Sequence, residues 1–138
     1  MTHSLGSCRV TARIGALLLV ALIAFTTSTA FAHARLVKSD PKDKAELSES
    51  PKQVELWFNE LLDVGFNHVT VFPAAELKQK KRTNFVEGAL ELDQTDRTHL
   101  TVKLKSLAPG DYFIEYRVLS RDGHTAPGRI KFTVKSPR

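Results

Sequence analysis

Sulfur-bearing side chains are nearly absent from this sequence of 138 residues, which contains one cysteine and one methionine. Both lie near the amino terminus, as Cys8 and Met1. Residues 33–138 therefore offer no disulfide, no thiolate and no thioether. Because soft sulfur ligands select Cu(I), a metal bound by this part of the chain would have only nitrogen and oxygen ligands.

Long apolar runs are absent too. The longest, residues 14–25 (IGALLLVALIAF), is shorter than the about 20 residues that a membrane-spanning helix needs. It follows a segment that carries Arg9 and Arg13 and no acid, and it precedes the small residues of Ala-Phe-Ala at 30–32. This three-part pattern predicts a secretory signal peptide over residues 1–32, cleaved after Ala32, and a periplasmic mature protein. The alternative is an uncleaved amino-terminal anchor.

The predicted mature chain, residues 33–138, has the size of one domain with one core. Removal of Arg9 and Arg13 lowers the formal net charge from +5 to +3. The lysines are scattered, and the one basic run, residues 78–82, is predicted to be a solvated loop. Since an exported chain does not meet nucleic acid, we expect no nucleic-acid binding despite a pI near 9.5.

Alternation of apolar and polar residues dominates the mature chain and indicates half-buried strands. Turn-forming residues such as Ser50-Pro51 and Pro109-Gly110 separate the alternating segments. A short helical turn is predicted around Asn59–Val64. The pattern predicts an all-β fold, a single Greek-key or immunoglobulin-like β-sandwich (a cupredoxin-like barrel) of about seven strands. The predicted strands are 34–37, 53–59, 68–72, 85–92, 98–104, 111–119 and 128–134.

Four histidines lie in the mature chain. His68 and His99 each stand alone in an alternating strand, which favours a surface or rim position. His33 differs, because cleavage after Ala32 would give it a free α-amine. The amine and the ring Nδ1 of one residue can chelate a single ion, and both lose their protons near neutral pH. Such a planar nitrogen pair suits Cu(II).

A second metal-binding element is Asp122-Gly123-His124. In an extended or turning backbone the side chains of residues i and i+2 project to the same side, so the carboxylate and the imidazole can reach one ion. The structural alternative is an ordinary Asp-Gly turn with a solvated histidine. Combined with His33, the motif supplies an amine, two imidazoles and a carboxylate, which favours Cu(II) over Cu(I).

These residues belong to three segments, 33–41, 51–60 and 107–124, that in this order resemble the CopC/PcoC family of periplasmic copper-resistance proteins. The resemblance covers nearly all of residues 33–138, which we interpret as a CopC-like copper-binding domain. It implies a Greek-key barrel or sandwich in which His33, Asp122 and His124 bind copper. Glu60 matches an acid near the copper in some members, with a strand-end hydrogen bond as its alternative role.

The sequence departs from some members of this family in one loop. Those members carry a methionine-rich loop that binds Cu(I), whereas residues 72–81 here contain no methionine. We therefore expect one Cu(II) per chain and no Cu(I) site. The predicted function is buffering or delivery of periplasmic copper in homeostasis or resistance, by a monomer that is not an enzyme and that works beside a CopD-type inner-membrane partner, as the family does.

Two other functions stay open at this point. A small histidine-brace copper oxidase or oxygenase also begins with a chelating histidine, but the chain is short, has few aromatic residues for gripping a polysaccharide, and carries in Asp122 a negative charge that would impede reduction of copper. A metal-free sandwich that serves as an interaction module would make both His33 and the Asp122–His124 motif coincidental.

Overall fold

The computed structural model describes residues 34–136. Within them the chain forms eight β-strands and a 3₁₀ turn at Ala74–Glu76. The strands are β1 (Leu36–Asp40), β2 (Ala45–Leu47), β3 (Gln53–Phe58), β4 (His68–Pro73), β5 (Val86–Leu92), β6 (His99–Leu104), β7 (Gly110–Leu119) and β8 (Thr125–Val134).

These strands form two four-stranded sheets, with the orders β1-β3-β6-β5 and β2-β8-β7-β4. All neighbouring strands are antiparallel except β2 and β8, which are parallel. The two sheets share one hydrophobic core. The prediction of an all-β sandwich is therefore confirmed.

The core follows directly from the alternation in the sequence. On β3, Val54, Leu56 and Phe58 are at most 3% exposed, whereas the intervening side chains lie toward solvent. On β8, every second residue from Ile130 to Val134 is buried in the same way. Since side chains of a strand point alternately to opposite faces, each sheet presents one apolar face, and the two faces bury each other.

Aromatic side chains connect the two sheets. The Phe58 ring of β3 meets the Tyr116 ring of β7 edge-on, with the centroids 5.5 Å apart. Opposite Tyr116 on β8 stands Gly128, and a Cβ at Gly128 would overlap the Tyr116 ring and hydroxyl. The absent side chain at Gly128 is what allows Tyr116 to lie flat across its partner strand and reach the core.

The structure corrects three details of the sequence interpretation. There are eight strands rather than about seven, because β2 was missed: its three residues are too few to show a period-2 pattern, and its hydrogen bonds come from parallel pairing with the distant β8. β1 begins at Leu36 rather than at residue 34. The helical turn predicted at Asn59–Val64 is wrong, because Leu62 instead forms an isolated bridge with Ser120.

Candidate metal centre

Strand ends from both sheets meet at one end of the sandwich. In the first sheet β3 ends at Phe58, opposite the start of β1 at Leu36. In the second sheet β7 ends at Leu119, opposite the start of β8 at Thr125. Residues 59–67, which we call the crossing segment, pass from the first sheet to the second at this end. Glu60 and the 120–124 turn are thereby brought to the same region.

Hydrogen bonds to both sheets hold the crossing segment. Arg121 N–H donates to the Leu61 carbonyl at 2.9 Å, and Asp63 N–H donates to the Leu119 carbonyl at 2.8 Å. These bonds attach the crossing segment to the strand end that leads into the 120–124 turn. The two segments therefore form one hydrogen-bonded unit.

Arg97 reinforces this unit from the side of the first sheet. Its carbonyl accepts the Leu62 N–H at 2.9 Å, and its Nη2 donates to the Leu62 carbonyl at 2.5 Å. The Arg97 Nε is buried and has no hydrogen-bond partner among residues 34–136. Sequence reasoning missed this residue, because nothing in the local pattern links Arg97 to a segment 35 residues away.

The 120–124 turn is built around the carboxylate of Asp122. Its Oδ1 accepts hydrogen bonds from the Ser120 hydroxyl at 2.7 Å and from the backbone N–H of His124 at 3.1 Å. Gly123 has φ +88°, a left-handed conformation that glycine adopts without steric cost. Its N–H closes the turn by donating to the Ser120 carbonyl at 2.9 Å.

These hydrogen bonds keep Asp122 ionised. Donation from the Ser120 hydroxyl, followed by donation from the His124 backbone N–H, lowers the pKa of Asp122 below its ordinary value of 3.8. A hydrogen bond to the charged form stabilises that form. Asp122 therefore offers a negatively charged oxygen at neutral and mildly acidic pH.

The second oxygen of this carboxylate faces the histidine ring. The Nδ1 of His124 lies 3.0 Å from Oδ2 of Asp122, and the two side chains are 54% and 34% exposed. The sequence-based expectation that the i and i+2 side chains share one side is thus met in the structure. Accessible imidazole nitrogen and carboxylate oxygen, held together on a turn, are the ligand types that suit Cu(II).

Glu60 lies on the crossing segment and is partly buried. Among residues 34–136 its carboxylate makes none of the observed hydrogen bonds or ion pairs, so the strand-end hydrogen bond named above as its alternative role is not found there. Two residues later, Leu62 forms its bridge with Ser120. Glu60 therefore lies on a segment that is hydrogen-bonded to the 120–124 turn.

His33 lies outside the described residues. Ala34, with which they begin, is 5% exposed and belongs to the core. The Arg35 backbone makes two hydrogen bonds with Asn59: its N–H donates to the side-chain Oδ1 at 2.5 Å, and its carbonyl accepts the Asn59 N–H at 3.0 Å. The described chain therefore begins beside the residue that precedes Glu60.

Two of the four predicted metal residues, Asp122 and His124, are in contact. Among the described residues no group of three or more histidine, cysteine, aspartate or glutamate side chains converges as a metal site would require. The described part of the chain thus supplies an incomplete set of ligands.

The remaining two histidines, His68 and His99, lie on strands β4 and β6. His68 is exposed at the start of β4. His99 stacks on Trp57, with the ring centroids 4.4 Å apart, and its Nε2 lies 2.9 Å from the Glu55 carboxylate. Both positions agree with the expected surface or rim location.

Ser120 is a further residue that sequence reasoning missed. It is 1% exposed, and its hydroxyl holds the Asp122 carboxylate. A serine two residues before an Asp-Gly pair is a local signal that could have identified it, because serine hydroxyls bond to groups nearby along the chain in turns.

Together these features define a class: a small all-β sandwich with a histidine–carboxylate pair on a turn at one end. The CopC domain profile matches residues 36–135, and the chain belongs to the CopC family. The family prediction is confirmed. Since the family consists of copper-resistance and copper-transport proteins, the chain is not an enzyme, and the histidine-brace alternative is set aside.

Similar proteins carry copper-related names. The chain is 36% identical over 124 residues to the copper transport protein CutJ of Bacillus subtilis, a match that covers 86% of the chain but only 21% of CutJ. It is 31% identical over 113 residues to copper resistance protein C of Xanthomonas campestris pv. juglandis, covering 79% of the chain and 85% of that protein.

Among solved structures, CopC from Methylosinus trichosporium OB3b is similar, with 29% identity and a TM-score of 0.65. The superposition covers 75% of this chain and 94% of that one. This likeness agrees with the sandwich fold found for residues 34–136.

Proposed function

We propose that this protein binds Cu(II) in the periplasm and buffers or delivers it in copper homeostasis or resistance. The observation that carries the proposal is the contact between Asp122 and His124 on a turn fixed by Ser120. Membership in the CopC family and the copper-related names of its relatives support copper as the ion.

The remaining ligands are proposed to come from His33. Cleavage after Ala32 would leave its α-amine and its imidazole available to one ion, and the described chain begins at Ala34 beside the crossing segment. With Asp122 and His124 this gives an amine, two imidazoles and a carboxylate. Glu60 is proposed as an additional acid near the ion, because it lies on the crossing segment next to the 120–124 turn.

The proposed stoichiometry and oxidation state follow from the ligand chemistry. Three nitrogens and one carboxylate oxygen suit Cu(II) in tetragonal coordination. Residues 33–138 contain no sulfur, so no ligand favours Cu(I). We therefore propose one Cu(II) per chain and no second, methionine-based Cu(I) site.

The proposed location is the periplasm, reached through a signal peptide at residues 1–32. Across residues 34–136 no helix has the length and apolar character needed to cross a membrane. We propose a monomer that passes copper to a CopD-type inner-membrane partner. The match to one fifth of CutJ leaves the activity of that larger protein outside this proposal.

The test compares protein that starts at His33 with protein that carries one extra alanine before it. The added residue keeps the imidazole but moves the amine, so it removes only the chelate. We expect the first protein to bind one equivalent of Cu(II), with nitrogen couplings in its electron paramagnetic resonance spectrum, and the extended protein to bind about 100-fold more weakly because chelation is lost.

Equal affinities of the two proteins would contradict the His33 chelate. Two further variants, Asp122→Ala and His124→Ala, distinguish a copper site without the His33 chelate from a metal-free protein. If neither substitution weakens Cu(II) binding, the 120–124 turn is not the copper site. If the unaltered protein starting at His33 binds no Cu(II), the chain is a metal-free sandwich.

A further inference from the structure

The outer face of the β2-β8-β7-β4 sheet carries an open groove of about 790 Å³. Its floor is made by β4, β7 and β8, and the loop before β5 forms one wall. The principal charged side chains of its lining are Arg82, Arg117, Arg129 and Glu115. We call this surface the basic groove.

Two guanidinium groups of the basic groove already hold a carboxylate. Arg129 Nε lies 3.0 Å from Glu115 Oε2, and Arg82 Nη2 lies 3.3 Å from Glu115 Oε1. The hydrogen bond from Arg129 has the largest effect on the pKa of Glu115 and lowers it. Burial, the second largest effect, raises this pKa, and the hydrogen bond from Arg82 lowers it further. Arg82 also covers the buried Phe72 ring, at 4.2 Å from its centroid. Arg82 and Arg129 thus share one carboxylate of the chain itself.

A third guanidinium is uncommitted. Arg117 follows Glu115 on the same face of β7 and is exposed. Among residues 34–136 its side chain makes none of the observed hydrogen bonds or ion pairs. Arg117 stands opposite His68 in the β4–β7 register, and both line the groove. An anion that entered the groove would meet Arg117 without breaking an existing ion pair.

The charge of the chain is concentrated on this side. Eight cationic residues belong to this face or to its bordering loop, against four acids: Lys78, Lys80, Lys81, Arg82, Arg117, Arg129, Lys131 and Lys135, with Glu46, Glu76, Asp111 and Glu115. This local excess of +4 exceeds the formal net charge of +2 of residues 34–136, so the rest of that part is net negative. The basic run at 78–82, predicted to be a solvated loop, thus borders the basic groove.

We propose that the basic groove binds an acidic polypeptide segment of a partner protein. The concave shape admits an extended chain, and the local excess of positive charge, with Arg117 uncommitted, favours carboxylates, which arginine binds in bidentate geometry. A flat anionic bilayer fits less well. The aromatic rings Phe72 and Phe113 lie beneath Arg82 and Arg129 and do not project outward.

The basic groove lies close to the 120–124 turn along β7. Arg117 lies on β7 three residues before Ser120, whose hydroxyl holds Asp122. A partner bound along β7 would therefore lie beside the 120–124 turn. The proposal concerns protein recognition and does not depend on copper binding at that turn.

The experiment measures binding of a fluorescently labelled octaglutamate peptide to metal-free protein by anisotropy, at low and at physiological ionic strength. We expect the binding to weaken as salt is added, because the Debye length falls to about 8 Å at 0.15 M ionic strength and exposed charges are screened beyond it. Arg117→Glu should weaken it about tenfold or more, because it replaces the uncommitted guanidinium with a repelling carboxylate. Labelled octaglutamine should not bind.

The matched control is Lys52→Glu, an exposed lysine in the connection before β3 that changes the net charge equally. We expect it to alter peptide affinity by less than about twofold. Equal weakening by Lys52→Glu and Arg117→Glu would overturn the proposal in favour of a bulk charge effect. Arg117-dependent binding to phosphatidylglycerol vesicles without peptide binding would overturn it in favour of a membrane surface. Circular dichroism establishes that each variant is folded.

Discussion

The Nδ1 of His124 lies 3.0 Å from Oδ2 of Asp122, while Oδ1 of the same carboxylate accepts the Ser120 hydroxyl at 2.7 Å. One carboxylate therefore links a buried serine to an accessible imidazole. In metal sites such a carboxylate either ligates the ion itself or orients the imidazole that does. The two roles predict different effects of substitution on Cu(II) binding.

Replacement of Ser120 by alanine should weaken Cu(II) binding about two- to tenfold, because the Asp122 carboxylate loses a hydrogen bond worth about 1 kcal/mol. Isothermal titration calorimetry measures the affinity. The matched control is Ser39→Ala, which removes the hydroxyl of a different buried serine, on β1, and should leave the Cu(II) affinity unchanged. Unaltered affinity in Ser120→Ala would show that the turn does not need its hydroxyl.

Replacement of Asp122 by asparagine distinguishes a ligand from a positioning carboxylate. The amide oxygen can still accept a hydrogen bond from His124 but carries no charge. Loss of an anionic ligand should cost at least as much as loss of an orienting partner, which is about 10- to 100-fold in metal affinity. We expect Asp122→Asn to reach this range and to change the copper electron paramagnetic resonance spectrum, as loss of an anionic ligand requires. An unchanged spectrum would assign Asp122 a positioning role, and Glu49→Gln controls for net charge.

Replacement of Gly123 by alanine should destabilise the protein by about 1 kcal/mol, because φ +88° is unfavourable for residues with a Cβ. No atom lies within 4 Å of the added Cβ, so the effect isolates backbone strain. Urea denaturation gives the free energy of unfolding. Gly65→Ala is the control, since its Cβ would make an ordinary 3.8 Å contact with Asp63. Equal effects at both positions would argue against the left-handed turn.

Replacement of Glu115 by glutamine should make stability less dependent on acid pH. The hydrogen bond from Arg129 is the main reason why the pKa of Glu115 lies below 4.5 in the folded protein. As pH falls, the Glu115 carboxylate is therefore protonated earlier in the unfolded chain than in the folded one. Its contribution is present above the ordinary pKa and disappears as pH falls through the folded value.

Urea denaturation of both proteins between pH 7 and about pH 3 checks this dependence. Glu115→Gln should be less stable at pH 7, and the difference should shrink as the medium becomes acidic. Glu87→Gln, an exposed position on β5, should follow the unaltered protein throughout. A difference that stayed constant with pH would exclude the Glu115 ion pairs as its cause.

Strands with a complete alternating pattern were predictable because that pattern is local. Val54, Leu56 and Phe58 identify β3 and its buried face without reference to any other strand. β2 was not predictable, since its three residues become a strand only through pairing with β8. The crossing segment was misread for the same reason: its hydrogen bonds go to Arg97, Leu119 and Arg121.

The candidate site likewise has parts that the sequence predicts and parts that it does not. Asp122 and His124 were identified from their spacing, and their contact was expected from it. The role of Ser120 as donor to Asp122, and the support from Arg97, were not foreseen. The sequence segment 78–82 was read as a solvated loop, whereas Arg82 is bound to Glu115 and lies over Phe72.

The sequence by itself determined the fold class, the family resemblance and the absence of sulfur ligands, because alternation, motif spacing and composition are properties of neighbouring residues. Only the tertiary structure decided that Glu60 lies on a segment joined to the 120–124 turn, and that distant arginines share one groove with Glu115. Such relations depend on how strands far apart in the chain pair and cross, and no local pattern encodes that geometry.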